Sequence, residues 1–137
     1  MGYAIFVLAL LPVFSAQAGE LKLEFHGKGL SGQAIRVAVY NSREQFGTED
    51  KVYKSAVVVA ESDIVTVTIA DVATGKYAVA AYADANGNGM QDRNFLGKPT
   101  ELYGFSNDAR GMLGPPDYAE ALFEVGAGVT MQSVHLQ

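Results

Sequence analysis

The residues whose types and spacing most clearly suggest chemistry form the segment Asp84–Asp92, which reads Asp-Ala-Asn-Gly-Asn-Gly-Met-Gln-Asp. Calcium binds six to eight oxygen atoms, and calcium loops supply them from alternating positions around a bend made by glycine at the sixth position. Gly89 falls at that position. The ligands would be the side chains of Asp84, Asn86, Asn88 and Asp92 and the carbonyl of Met90. The spacing therefore predicts a calcium site.

The match to a calcium loop ends at Phe95, which stands where a helix-loop-helix site has a Glu that gives two oxygens. Asp84 and Asp92 would then be the only formal negative charges of the segment that face the ion. We therefore expect weak binding, with a dissociation constant of about 10⁻⁴ to 10⁻³ M, as in extracellular modules. Further oxygens could come from later polar residues, namely Glu101, Asn94 and Asp108.

A purely structural interpretation of the segment stays open beside the calcium site. Asn86-Gly87 and Asn88-Gly89 are both dipeptides that reverse a chain between strands. A turn, however, needs only one such dipeptide and has no use for aspartates at both ends of the segment. The sequence therefore favours the metal.

Other reactive side chains give weaker patterns. His26 and His135 are the only histidines, and each ends a terminal predicted strand, so they could meet as a pair, although solvated strand-end positions are the favoured interpretation. Ser106 lacks the Gly-x-Ser-x-Gly elbow of hydrolases and suits a capping role in a turn. Glu101, Asp117 and Glu120 could supply an acid and base for glycoside hydrolysis, but capping and metal binding account for them first. The residues thus favour a protein that is not an enzyme.

Short alternating or β-branched runs bounded by Gly, Asn and Asp predict strands throughout, and helical periodicity is nearly absent. Ala60–Asp63 is predicted to be a tight hairpin turn between two of these strands. Seven short strands without a long helix indicate an all-β protein, a Greek-key β-sandwich. The predicted strands are 21–26, 33–40, 54–60, 64–70, 76–83, 121–125 and 130–136.

The connection from Asp84 to Glu120 is long and rich in Gly and Asn, and connections of this length in a compact domain are usually functional or disordered. Its aromatic residues predict that it is packed, because disordered segments contain few of them. Asp117 followed three residues later by Glu120 predicts a short capped helix. We expect Tyr103 and Phe105 to contact a partner.

The first 18 residues carry no charge, are apolar from Tyr3 to Phe14 and end in Ser15-Ala-Gln-Ala18. This pattern is typical of a secretory signal with a cleavage site after Ala18. The apolar run is shorter than the roughly 20 residues that span a bilayer, so no transmembrane segment is expected in the mature chain. We therefore predict a signal peptide at 1–18, a single domain at 19–137, and a periplasmic or secreted location.

The net charge is −5 and there is no Cys, so disulfides cannot stabilise the domain. From Gly19 to Ala83 there are 8 acidic and 7 basic residues, whereas from Asp84 to Glu124 there are 7 and 3. Acidity concentrated in this way favours cations or basic partners and excludes nucleic acid.

The longer motifs of the chain resemble an uncharacterised family of exported bacterial proteins, domain of unknown function 2141. The resemblance is carried by the loop, then by Gly97-Lys-Pro-Thr-Glu101 and Gly104-Phe-Ser-Asn107, and it covers nearly the whole mature chain. It implies a small periplasmic β-sandwich and no particular activity. One difference is Ala83, where the family tends to have His before the first Asp of the loop.

A second resemblance concerns the turn Ile69–Tyr77, which is similar to a turn of prealbumin-like (transthyretin-like) sandwiches. Because charged, glycine and aromatic residues gather between Asp84 and Glu120, we expect a binding or interaction module whose acidic loop is ordered by one calcium ion and faces an unknown envelope protein or glycan. A transthyretin-like hydrolase is one alternative, weakened because those enzymes end in a Tyr-Arg-Gly-Ser type tail and this chain ends in Val134-His-Leu-Gln137. A structural envelope protein with a metal-stiffened loop is the other. The oligomeric state is left open.

Overall fold

The computed structural model describes residues 2–5, 9–10, 17–90, 101–112 and 114–137. Eight strands, one 3₁₀ turn (Ser106–Asp108) and one short helix, α1 (Tyr118–Ala121), make up the fold in this part of the chain. The strands are β1 (Ala18–His26), β2 (Ala34–Tyr40), β3 (Lys54–Val59), β4 (Ile64–Ala73), β5 (Gly75–Asp84), β6 (Tyr103–Phe105), β7 (Phe123–Val125) and β8 (Val129–His135).

The strands form two sheets that enclose one main apolar core. The smaller sheet has the order β4-β1-β8, and the larger has the order β3-β2-β5-β6, with β7 also paired to β5. In β1 the side chains of Leu21, Leu23 and Phe25 are completely buried, while the residues between them face outward. β2 alternates in the same way and adds Val37 and Val39 to the core, and β5 adds Val79. The prediction of an all-β sandwich is confirmed.

All seven predicted strands are present, and the structure adds β6 as an eighth. β6 is only three residues long and its register depends on β5, where Gly104 lies opposite Ala81. A run this short carries no alternation that the sequence could reveal. Tyr103 in β6 also exchanges two backbone hydrogen bonds with Gln137, of 3.0 and 3.1 Å, which join the edge of the larger sheet to the chain beyond β8.

The predicted hairpin at Ala60–Asp63 is wrong. β3 pairs with β2 and β4 pairs with β1, so this turn carries the chain from one sheet to the other instead of joining neighbouring strands. The crossing is held by Asp63, whose Oδ1 accepts hydrogen bonds from the amides of Gly29 (2.9 Å) and Leu30 (3.0 Å). These are contacts with residues more than 30 positions away, so the local pattern did not reveal them.

The described end of the long connection packs against β5. Ser106, at the start of the 3₁₀ turn, is completely buried, and its Oγ accepts a hydrogen bond from the Val79 amide (2.9 Å) and donates one to the Ala121 carbonyl. The short helix α1 lies where Asp117 and Glu120 predict it, and the Asp117 amide donates to Glu120 Oε2 at 3.3 Å. The capping prediction for this segment is confirmed.

Candidate functional site

β5 ends in Asp84, the first residue of the predicted calcium loop, and this carboxylate is buried at 2% exposure. Its Oδ2 atom accepts hydrogen bonds from Arg36 Nε on β2 (2.8 Å) and from the Gly89 amide (2.7 Å). Burial opposes ionisation of Asp84, but the hydrogen bonds from Arg36 and Gly89 outweigh burial and lower its pKa. Asp84 is therefore a carboxylate anion at neutral pH.

The loop that follows is folded around its own side-chain oxygens. Asn86 Oδ1 accepts a hydrogen bond from the Asn88 amide (3.2 Å), and Asn88 Oδ1 accepts one from the Met90 amide (2.9 Å). Gly87 and Gly89 have φ values of 68° and 76°, which favour glycine because it has no Cβ. The predicted bend at Gly89 is thus present. The side-chain oxygens at the first, third and fifth loop positions each accept a hydrogen bond from a backbone amide of the same loop.

Two features determine whether this loop can bind a cation and how strongly. Asp84 Oδ1 is buried and, within the described part of the chain, has no hydrogen-bond partner, so it is an acceptor that an ion could use. The Arg36 guanidinium, in contrast, already gives the other oxygen of this carboxylate a positive partner. Among the described residues, no group of three or more His, Cys, Asp or Glu side chains could hold a metal. The predicted ligand Asp92 lies outside the described residues.

Glu101, which the sequence offers as the source of a further oxygen for calcium, lies beside the loop. Its carboxylate is 9% exposed, and Oε2 accepts a 2.6 Å hydrogen bond from the amide of Ala85, the second loop residue. This contact ties Glu101, two residues before β6, to the residue that follows β5. Asp108 lies elsewhere, since it binds His135 on β8.

A groove of about 440 Å³ crosses the outer face of the larger sheet, next to the loop. Its floor includes Ala38 and Ala80, which lie opposite each other on β2 and β5, and small side chains at both positions leave the space open. The lining includes four aromatic residues, and it also includes Pro115 and residues of the 41–52 connection such as Thr48 and Glu49. The aromatic residues are Tyr40, Tyr82, Tyr103 and Phe105. Arg36 and Gly89 line the groove too, so groove and loop share residues.

The two residues predicted to contact a partner both line this groove, on β6. Tyr103 is half-buried, and the guanidinium of Arg110 stacks on its ring at 4.4 Å and donates to its carbonyl at 2.6 Å. Phe105 is only 9% exposed and packs at 5.8 Å from the ring of Phe46. Tyr103 is therefore held in place beside the groove, and Phe105 is almost covered.

Sequence reasoning missed Arg36 and the alanine floor. The signal for Arg36 was a single basic residue within the apolar strand Ala34–Tyr40. The signal for the floor was Ala at positions that face away from the core in two strands. Neither signal indicates which strands are neighbours, so neither could place these residues around one groove.

Ser106 and the two histidines, which the sequence also singled out, lie away from the loop. Ser106 is completely buried in the hydrogen bonds given above, so its hydroxyl cannot meet a substrate. His26 and His135 do meet: their rings stack with centroids 5.0 Å apart, so the pairing that the sequence left as the less favoured possibility is what the structure shows. In the described residues, no helix is long and apolar enough to cross a bilayer.

Fold and site together define a small two-sheet β-sandwich with an acidic, Asn/Gly-rich loop beside an aromatic groove. The chain belongs to DUF2141, a family described as an uncharacterized protein conserved in bacteria, whose match covers residues 28–133. This confirms the resemblance stated on the sequence motifs. No curated protein and no solved structure matches the chain, so the prealbumin-like type of the sandwich stays a prediction.

Proposed function

We propose that this protein is an exported binding module that holds a partner in the groove of the larger sheet, beside a loop ordered by a weakly bound calcium ion. The observation that carries the proposal is the groove itself, a space of about 440 Å³ that four aromatic residues line beside a floor of alanines. Aromatic rings offer large, rigid contact areas at small entropic cost, which suits recognition. In keeping with the apolar leader, we expect the mature protein to begin at Gly19 in the periplasm or outside the cell.

The calcium part of the proposal rests on Asp84. A buried carboxylate oxygen without a hydrogen-bond partner is costly, and a bound cation would satisfy it. Asn86, Asn88 and the Met90 carbonyl would supply neutral oxygens, and Asp92 the second charge. Because Arg36 already neutralises part of the charge of Asp84, the site should bind calcium weakly and fill only where calcium is at millimolar concentration, as outside the cell.

A charge-adding variant tests the calcium site while keeping a side-chain oxygen at position 88 for the Met90 amide. Asn88→Asp places a third carboxylate at the fifth loop position, so millimolar calcium should raise its melting temperature more than it raises that of the wild type. Asn41→Asp makes the same chemical change at an exposed site outside the loop and should respond like the wild type. Melting curves of all three proteins that superimpose with calcium and with chelator would contradict the calcium site.

A space-filling variant tests the groove. Ala80→Trp fills the floor with an indole and should abolish retention of periplasmic binding partners on the immobilised protein. Ala70→Trp adds the same side chain at an exposed position of β4, in the other sheet, and should retain partners normally. Equal retention by both variants would overturn the groove proposal and favour a structural envelope protein.

A further inference from the structure

The two histidines lie at the ends of adjacent parallel strands, on the outer face of the smaller sheet and outside the groove and loop. His26 ends β1 and His135 ends β8, and they are direct partners in the parallel register of these strands. The rings stack with centroids 5.0 Å apart and planes 23° apart. The side chains are 30% and 51% exposed, so both rings can be reached from solvent.

Each ring is hydrogen-bonded to a different carboxylate through a different nitrogen. His26 Nε2 lies 2.6 Å from Glu24 Oε1, and His135 Nδ1 lies 2.9 Å from Asp108 Oδ2. Asp108 is itself oriented, because its Oδ1 atom accepts a 2.9 Å hydrogen bond from the His135 amide. The ring of His135 is thus held by a carboxylate whose two oxygens are both used.

These contacts determine which nitrogen of each neutral ring carries the proton. An ionised carboxylate only accepts hydrogen bonds, so His26 must be protonated at Nε2 and His135 at Nδ1. The lone pairs that remain are those of His26 Nδ1 and His135 Nε2. Metal-ligating histidines typically donate their other ring N–H to a carboxylate in the same manner, which fixes the tautomer and raises the basicity of the ligating nitrogen.

We propose that His26 and His135 form a binding site for a divalent transition-metal ion of the zinc type, with Nδ1 of the first and Nε2 of the second as ligands. Imidazole suits zinc, copper and nickel, whereas calcium prefers oxygen, so this site is distinct from the loop. Binding requires both rings to turn out of the stack until their free lone pairs face one ion, and the exposure of the two side chains leaves room for that movement. Water completes the coordination, since no third ligating side chain converges there among the described residues.

The charges around the pair also favour a cation. Glu24 and Asp108 contact the rings directly, and Asp63 lines the shallow depression that contains both histidines. Within the described residues, Lys28 is the one basic residue of that lining apart from the two histidines. Three carboxylates against one ammonium group leave the neighbourhood net negative, which offsets part of the charge of a divalent ion.

The experiment is a titration of the untagged mature protein with Zn²⁺ by calorimetry, in calcium-free buffer. The chain has only two histidines. If one Zn²⁺ ion binds per chain and its binding needs both histidines, the site is identified. His26→Gln and His135→Gln should each lower the affinity at least about tenfold, and Asn41→Asp, at an exposed position outside the loop and away from both histidines, should leave it unchanged. Equal affinity of the wild type and either Gln variant, or no binding to the wild type, would overturn the proposal.

Asp108→Asn supplies a second test that keeps both rings. The Asn oxygen would still face the His135 amide, so its NH₂ group would face Nδ1 and force the proton of His135 to Nε2. We expect this variant to show the changed tautomer in its ¹⁵N ring shifts and about 10- to 100-fold weaker Zn²⁺ binding at an unchanged melting temperature in chelator. A changed tautomer with unchanged affinity would also overturn the proposal.

Discussion

Ser106→Ala should destabilise the domain although it removes a single oxygen atom. Ser106 is completely buried, and its hydroxyl serves two backbone groups, the Val79 amide at 2.9 Å and the Ala121 carbonyl. Each buried backbone group left without a partner costs about 1–3 kcal/mol. The two groups together should therefore cost about 2–6 kcal/mol, which for a domain of this size corresponds to a fall in melting temperature of roughly 8–24 °C.

Urea unfolding followed by circular dichroism measures this loss directly, and hydrogen exchange locates it. The Val79 amide should exchange faster in Ser106→Ala, because the 3₁₀ turn and α1 are docked to β5 through this hydroxyl. Ser133→Ala, at an exposed position of β8, is the matched control and should change stability by less than about 0.5 kcal/mol. A loss below about 0.5 kcal/mol in Ser106→Ala would refute the reasoning, since the two backbone groups would then have found other partners.

Three further outcomes are expected. Burial, with the nearby charge of Glu49, raises the pKa of Tyr40 to about 12, above its ordinary value near 10. The stability that the neutral phenol contributes is therefore complete below pH 10 and is lost as the pH rises toward 12. In urea titrations, Tyr40→Phe should lose less unfolding free energy between pH 9 and pH 11 than the wild type loses. The lowered pKa of Asp84 has the opposite effect: its contribution to stability is present above about pH 4 and is lost as the pH falls through the folded-state pKa. The stability difference between the wild type and Arg36→Gln should therefore shrink in thermal melts below about pH 4. A stability difference that stays constant with pH would contradict the ion pair. Gly104→Ala would place a Cβ 2.4 Å from the His135 carbonyl oxygen, so the backbone must move and the melting temperature should fall by at least several degrees, whereas an unchanged value would exclude this close approach.

Local sequence patterns predicted those parts of the fold that depend on neighbouring residues. The alternation of Leu21, Leu23 and Phe25 identified the buried face of β1, because side chains in a strand point to opposite sides with a period of two residues. Asp117 and Glu120 identified α1, because capping is decided within one helical turn. The bend at Gly89 was equally local, since its hydrogen bonds join residues of a single loop.

The pairing of distant segments could not be predicted in this way. Ala60–Asp63 has the length and composition of a hairpin turn, yet it crosses between sheets because β3 and β4 find other partners. The partner of Asp84 is Arg36, which is 48 residues earlier in the chain, and only the antiparallel register of β2 and β5 brings them together. This contact changed the interpretation of the loop, because it adds a positive charge beside the predicted calcium ligand.

The sequence by itself thus determined the strand faces, the capped helix and the bend of the acidic loop, because each depends on contacts within a few residues. The tertiary structure decided the groove and the histidine pair. Ala38 and Ala80 form one floor, and His26 meets His135, only because the sheets place β2 beside β5 and β1 beside β8. Hydrophobic burial selects these pairings for the whole core at once, and no local pattern contains that information.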